Sequence, residues 1–244
     1  MRIDAKGKHY KELNGLIHQA IADCNKNIIL SNVNGQRYIA DGLARDINIT
    51  INGVPGNDLG AFMDGPNIVV NSNGQDAIGN TMNFGKIVVH GDSGDIAGHS
   101  MRGGKIYIKG NAGYRVGIHM KSYKELYPVI IIGGVAGNFL GEYMAGGMII
   151  VLGLNSGHDE AIVGDYCGTG MHGGVMYLRG KVEKHQLGLE VKQEGIDNND
   201  KKLLDKYLKE YCKYFSLDLD SIQKSSFTKL VPSSQRPYGK LYAY

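Results

Sequence analysis

The chain has 244 residues, of which 36 are glycine and 5 proline, and glycine falls at no period of three, so a collagen-like triple helix is excluded. An apolar share of 42% is enough for a core and argues against wholesale disorder. The net charge is +3, from 27 basic and 24 acidic residues, and residues 1–180 carry 15 of each sign. A neutral body has no electrostatic footprint for nucleic acid. No 18-residue apolar run predicts a membrane span. The opening Met1-Arg2-Ile3-Asp4 leads into polar sequence without the apolar stretch of a signal peptide. Cys24, Cys167 and Cys212 are far apart and form no CxxC, the pattern of a reduced, cytoplasmic protein without a disulfide framework or structural zinc.

In chain order, residues 1–26 are predicted as an N-terminal helical cap. Tyr10, Leu13, Ile17, Ala20 and Ile21 fall on one face at helical spacing. Residues 27–180 are dominated by a repeat. Methionines recur at Met63, Met82, Met101, Met120, Met144 and Met171, with three gaps of 19 residues, then 24 and 27. Three residues before each stands a glycine: Gly60, Gly79, Gly98, Gly117, Gly141 and Gly168. Four residues earlier stand Gly56, Gln75, Gly94, Gly113, Gly137 and Gly164. The longer gaps carry polar insertions around Ser122–Leu126 and Ser156–Glu160. Each row runs into a short strand of mostly β-branched residues, such as Ile68-Val69-Val70, Ile87-Val88-Val89 and Ile106-Tyr107-Ile108. Ile28-Ile29-Leu30 and Ile47 to Ile51 read as degenerate first turns.

A 19-residue unit with one short strand is too small for a helical-pair repeat or a propeller blade. The fold predicted is all-β, a right-handed parallel β-helix of about 19-residue coils with short helical additions at both ends. Apolar columns then stack inside roughly 4.8 Å apart. The glycine columns mark corners where φ is positive or backbones approach closely. The column Asn57, Asp76, Asp95, Tyr114, Asn138, Asp165 is expected to bond mostly within its own turn. Residues 181–244 form a C-terminal helical tail and an extended arm. Leu203, Leu204, Tyr207, Leu208, Tyr211 and Phe215 share a helical face suited to capping an end or covering a flank. From Lys229 onward periodicity is lost, and Arg236, Tyr238 and Tyr242 are the candidate docking arm, on this chain or on a partner.

No catalytic, cofactor-binding or metal-binding residue is assigned. Gly168-Thr169-Gly170-Met171-His172-Gly173 matches GxGxxG, but a strand follows where a dinucleotide fingerprint needs a helix, and Glu190 stands about twenty residues on by coincidence. His99, His119 and His172 sit in different repeat columns, and His90 and His158 lie elsewhere, so no metal ladder is expected. The methionine column reads as adaptable core filler. Cys167 lies in a buried column with no basic neighbour to generate a thiolate. Asp92 and Asp95 read as turn residues.

The recurring G-x-x-x-G-x-x-M-x-x-G-x-I-x-V-x-G rows resemble the glycine-repeat (GXGXG) β-helix domain found in the large subunit of glutamate synthase and in one of the subunits of formylmethanofuran dehydrogenase. Gly141-Glu142-Tyr143-Met144-Ala145-Gly146-Gly147 with Ile149-Ile150-Val151-Leu152-Gly153 is similar to the glutamate synthase version, as are Asn34-Gly35-Gln36-Arg37-Tyr38 and Gly60-Ala61-Phe62. The likeness covers about residues 30–180. It implies a domain that carries no chemistry itself but holds a glutaminase unit, which releases ammonia from glutamine, and a flavin barrel, which converts 2-oxoglutarate to glutamate. Arg2 rather than a cysteine follows Met1, and the chain is too short for a flavin barrel and lacks an iron–sulfur cysteine pattern. The implied role is therefore a structural subunit of a split glutamate synthase in nitrogen metabolism, with FMN and iron–sulfur clusters on partner subunits and no cofactor here. The runner-up is a scaffold in a formylmethanofuran dehydrogenase-like or other redox complex. The third reading, a freestanding solenoid enzyme or carbohydrate binder, needs an aromatic or carboxylate strip that the columns do not show. Homo-oligomerisation stays open.

Overall fold

A computed structural model describes residues 1–157 and 160–234. Its chain winds into a parallel β-solenoid. After β1 (Arg2–Asp4) and helix α1 (Tyr10–Ala22), one strand per coil follows: β2 (Asn27–Asn34), β3 (Asn48–Val54), β4 (Asp64–Val70), β5 (Phe84–Val89), β6 (Lys105–Ile108), β7 (Val129–Ile132), β8 (Ala145–Val151) and β9 (Gly173–Arg179). All pair in parallel with their sequence neighbours. From β2 to β9 the stack is about 34 Å long at the usual strand spacing.

The register is the one the repeat predicts. Ile28, Ile49, Ile68, Ile87, Ile106, Ile130, Ile149 and Met176 pair in one column. Leu30, Ile51, Val70, Val89, Ile108, Ile132, Val151 and Leu178 form the next inward column, two residues on. All are buried, as are the six repeat methionines. Each such side chain contributes about 1.5–3 kcal/mol by leaving water.

Both mouths are closed. Leu13, Ile17 and Ala20 of α1 join the interior cluster at the N-terminal end. At the other end β11 (Phe227–Pro232) runs antiparallel to β9, and β10 (Val191–Glu194) runs antiparallel to β11. Leu230 and Val182 enter the core there, with Leu187 and Val191 packed against it. The stretch from Lys229 to Pro232 is thus a strand of this chain's own sheet rather than arm. Its alternation is too short to read, since only Leu230 of its residues is buried.

Helix α2 (Asn198–Phe215) covers a flank, not a mouth. Leu204, Tyr207, Leu208, Tyr211 and Phe215 pack on the outward-facing Val88, Tyr107, Ile131, Ile150 and Tyr177. This explains why β7 reads as unbroken β-branched residues and is buried throughout, whereas β3 alternates. Asp197 caps α2, accepting from the Asp200 N–H at 2.8 Å. Asp200 in turn accepts from the Tyr177 hydroxyl (2.6 Å) and the Lys229 ammonium (2.9 Å). Among the described residues no helix is long and apolar enough to cross a membrane.

Candidate docking surface

The predicted glycine column builds one corner of every coil. Gly60, Gly79, Gly98, Gly117, Gly141 and Gly168 all have φ between +66° and +74°. From Gly79 onward, each donates its N–H to the residue before the aligned glycine of the preceding coil, from Gly79 to Leu59 (2.8 Å) through Gly168 to Leu140 (2.7 Å). Positive φ alone does not demand glycine here. Two residues before the glycine, Asp58, Ala77, Ile96, Arg115, Phe139 and Tyr166 have φ of +52° to +61°. Two residues after it, Phe62, Thr81, Ser100, His119 and Tyr143 have φ of +52° to +57°. The middle column is glycine because its missing Cβ is filled by the next coil's core. A Cβ on Gly79 would lie 2.6 Å from Ile106 Cδ1, and one on Gly117 2.6 Å from Ile149 Cδ1.

Two ladders of Asx side chains join the coils beside this corner. The Oδ1 atoms of Asn57, Asp76, Asp95 and Asn138 accept from the backbone N–H at the same column of the following coil, at 3.3, 2.9, 2.8 and 3.0 Å. Asn73, Asp92 and Asn111 do likewise, at 3.0, 2.7 and 3.0 Å. These residues bond the next coil, not their own turn as the sequence predicts, because stacking places the same column's N–H of the next coil within hydrogen-bond reach. The glycine preceding each acceptor row makes room: a Cβ on Gly94, Gly113 or Gly164 would collide with the Oδ1 of the preceding coil. Gln75 replaces glycine where the ladder bond is longest, 3.3 Å. Asp92 and Asp95 are therefore occupied structurally.

Several residues two positions from the glycine project outward and stack. Phe139 and Tyr166 lie with ring centroids 4.9 Å apart at 10°, and Arg115 sits over Phe139 while its Nε donates to Glu142 at 2.9 Å. His119 stacks on Tyr143 at 5.3 Å. Tyr114 and Tyr166 are more than half exposed. The columns thus do carry a short aromatic strip, hidden in sequence because it is spread over two columns of mixed residue type. His99 and His119 also come together, with centroids 6.2 Å apart, although their columns differ. At a tight corner adjacent columns both project outward, so strand alternation does not apply. Burial, then the neighbouring His119, holds His99 below the ordinary histidine range.

On the α2 flank a half-buried ionic cluster fixes the helix. The Glu210 carboxylate accepts from Lys86, from Lys105 (2.5 Å) and from the Tyr107 hydroxyl (3.0 Å), and Lys86 also donates to Tyr214 Oη (2.9 Å). Burial opposes the charge of Glu210, but the two lysines prevail and hold its pKa down at about 2. The sequence offered no signal for this cluster, because Glu210 lies more than a hundred residues from Lys86, Lys105 and Tyr107.

The remaining candidates resolve locally. Burial pushes the Cys167 thiol up to about 12. The GxGxxG row leads into β9, and the Glu190 carboxylate accepts from Gly170 N at 3.0 Å, an end contact of the solenoid. His172 Nδ1 lies 3.1 Å from the Gly170 carbonyl. The candidate arm residues Arg236, Tyr238 and Tyr242, and His158, lie outside the described residues. Among the described residues, what the site can do is present a rigid stacked surface.

A family model described as the GXGXG motif matches residues 10–233. An uncharacterized protein of Methanocaldococcus jannaschii is 52% identical over 248 residues, which cover 98% of this chain and 95% of that protein.

Proposed function

This chain belongs to the GXGXG motif family, and on that premise we propose that it is a non-catalytic structural subunit of a split glutamate synthase, holding glutaminase and flavin-barrel subunits at a fixed separation. The observation that carries the reading is the family match across nearly the whole chain, joined to the Glu142-Tyr143-Met144-Ala145-Gly146-Gly147 stretch. Packing gives that stretch its physical sense: Met144 is buried in the core, while Glu142 and Tyr143 face outward among the corner stacks. The chemistry of the corner supports a scaffold, since its carboxylates and amides are engaged by backbone N–H groups of the next coil. Catalysis needs converging groups free to exchange protons. The Methanocaldococcus jannaschii relative is matched over 95% of its own length, as a stand-alone subunit would be.

The test is reconstitution. Glutamine-dependent glutamate formation by the glutaminase and flavin subunits is measured with and without this chain, and with a version ending at Ser234. Formation should depend on the chain and weaken with the shortened version, which removes Arg236, Tyr238 and Tyr242. Full activity without the chain overturns the scaffold role, and activity by the chain alone overturns its non-catalytic character.

A further inference from the structure

Between the corner after β5, the corner after β6 and helix α3 (Leu219–Gln223) lies an open cleft of about 450 Å³. It falls in the size range of small-molecule sites. Its polar lining is His90, Lys109, Asn155 and Ser221, and its apolar wall is made by Leu154, Leu217 and Ile222. We infer that this cleft binds a small organic oxyanion, a carboxylate or phosphate carried on a short apolar body.

Charge is the first argument. Among the described residues no carboxylate lines the cleft. The acidic residues nearest in sequence stand behind the lining, on backbone amides: Asp92 accepts from Asn111 N, and Asp218 accepts from the N–H groups of Asp220 and Ser221. Asp220 is exposed on α3 and is not part of the lining. Lys109 makes no ion pair or hydrogen bond through its side chain among the described residues, in a molecule whose other flank lysines, Lys86 and Lys105, are paired. His90 is half-buried against the Phe215 ring (5.1 Å, edge-on), so its position is set by packing while its nitrogens have no protein partner among the described residues. Two cation-forming side chains and one amide therefore face a common space, while the Ser221 hydroxyl beside them donates its proton to the Asp218 carbonyl at 2.7 Å. Such donors are the groups that recognise carboxylate and phosphate oxygens.

Energetics agree with the geometry. Burial, then the Lys109 charge, holds His90 below the ordinary histidine range. An anion between the two reverses that second effect, so binding must be linked to proton uptake by His90. The inference is independent of the proposed scaffold role.

The experiment uses the full chain, with inorganic phosphate and glutarate as probes at matched ionic strength. The His90 ring resonances are followed by NMR while affinity is measured by titration. One probe or both should shift those resonances at up to about 10 mM and raise the His90 pKa, and Lys109→Gln should weaken binding at least tenfold. Lys26→Gln, a change at an exposed lysine near the opposite end, should leave affinity unchanged. A response to phosphate alone assigns the phosphate class of ligand, and a response to glutarate alone assigns the carboxylate class. If neither probe moves His90 beyond the effect of chloride, or if Lys109→Gln binds as the parent does, the inference fails. Unchanged melting of the Lys109→Gln protein distinguishes lost binding from lost fold.

Discussion

Gly117→Ala is the sharpest test of why the corner column is glycine. Gly117 sits at φ +71°, where an L side chain costs about 1–2 kcal/mol. Its new Cβ would stand 2.6 Å from Ile149 Cδ1, about 1 Å inside normal contact, with Ile149 Cγ1 at 3.5 Å and Ile130 Cδ1 at 3.8 Å. Ile149 is fully buried, so it can yield only by disturbing the core, at about 1–3 kcal/mol. The substitution should therefore destabilise by roughly 2–5 kcal/mol in urea unfolding followed by circular dichroism. Ile149→Val removes the clashing Cδ1 and alone costs about 0.5–1.5 kcal/mol. Combined with Gly117→Ala, it should cost about 1–3 kcal/mol less than the two singles added together. Strict additivity would refute the steric account and leave positive φ as the whole cause. A Gly117→Ala cost under about 1 kcal/mol would refute both.

Three further outcomes follow from the same structure. Ser93 carries a buried hydroxyl without a hydrogen-bond partner among the described residues, in a column with Ala112 and Ala136, so Ser93→Ala should stabilise by about 1 kcal/mol, read as a raised midpoint; a lowered midpoint would show that the hydroxyl is satisfied. Asp95→Asn should be near neutral, because an amide oxygen also accepts the next coil's N–H, as at Asn138, whereas Asp95→Ala should cost about 1 kcal/mol; equal effects would sink the ladder's role. Glu210 has its pKa held down to about 2 from an ordinary 4.5, so its contribution is full above the ordinary value and is lost as pH falls through about 2. Glu210→Gln should then cost about 1–2 kcal/mol at neutral pH, the pairing being partly screened by solvent, and should flatten the acid limb of stability; an unchanged limb would assign that limb to other groups.

What sequence reveals here depends on which way a side chain points. Inward columns are restricted in type by packing, so Met82, Met101 and Met120, or Ile68, Ile87 and Ile106, declare their register openly. The glycine column is equally legible, because the space each glycine leaves belongs to a core side chain of the next coil. Outward columns face no such restriction. Ile96, Arg115, Phe139 and Tyr166 share a backbone conformation but no chemistry, and the corner stacks are invisible in sequence for that reason. Periodicity also carries no information on partners outside the repeat. The helical face of residues 200–215 is readable, but its choice of flank over mouth is set by Tyr107, Ile131 and Tyr177, outward residues that become intelligible only once α2 lies on them.

Helix α2 has a consequence beyond covering apolar surface. Its first turn touches β9 through Asp200 and Tyr177, and its last turns touch β6 and β5 through Tyr211, Glu210 and Tyr214. About fourteen residues of helix rise about 21 Å, and four strand spacings span about 19 Å, so the two lengths match. A plain solenoid is held by nearest-neighbour contacts and can fray rung by rung. Here a single rigid element grips non-adjacent rungs, and opening any one between β5 and β9 must strain its contacts with the others. The C-terminal half of the rod should thereby unfold as one cooperative unit, where an uncovered stack of the same coils would loosen gradually.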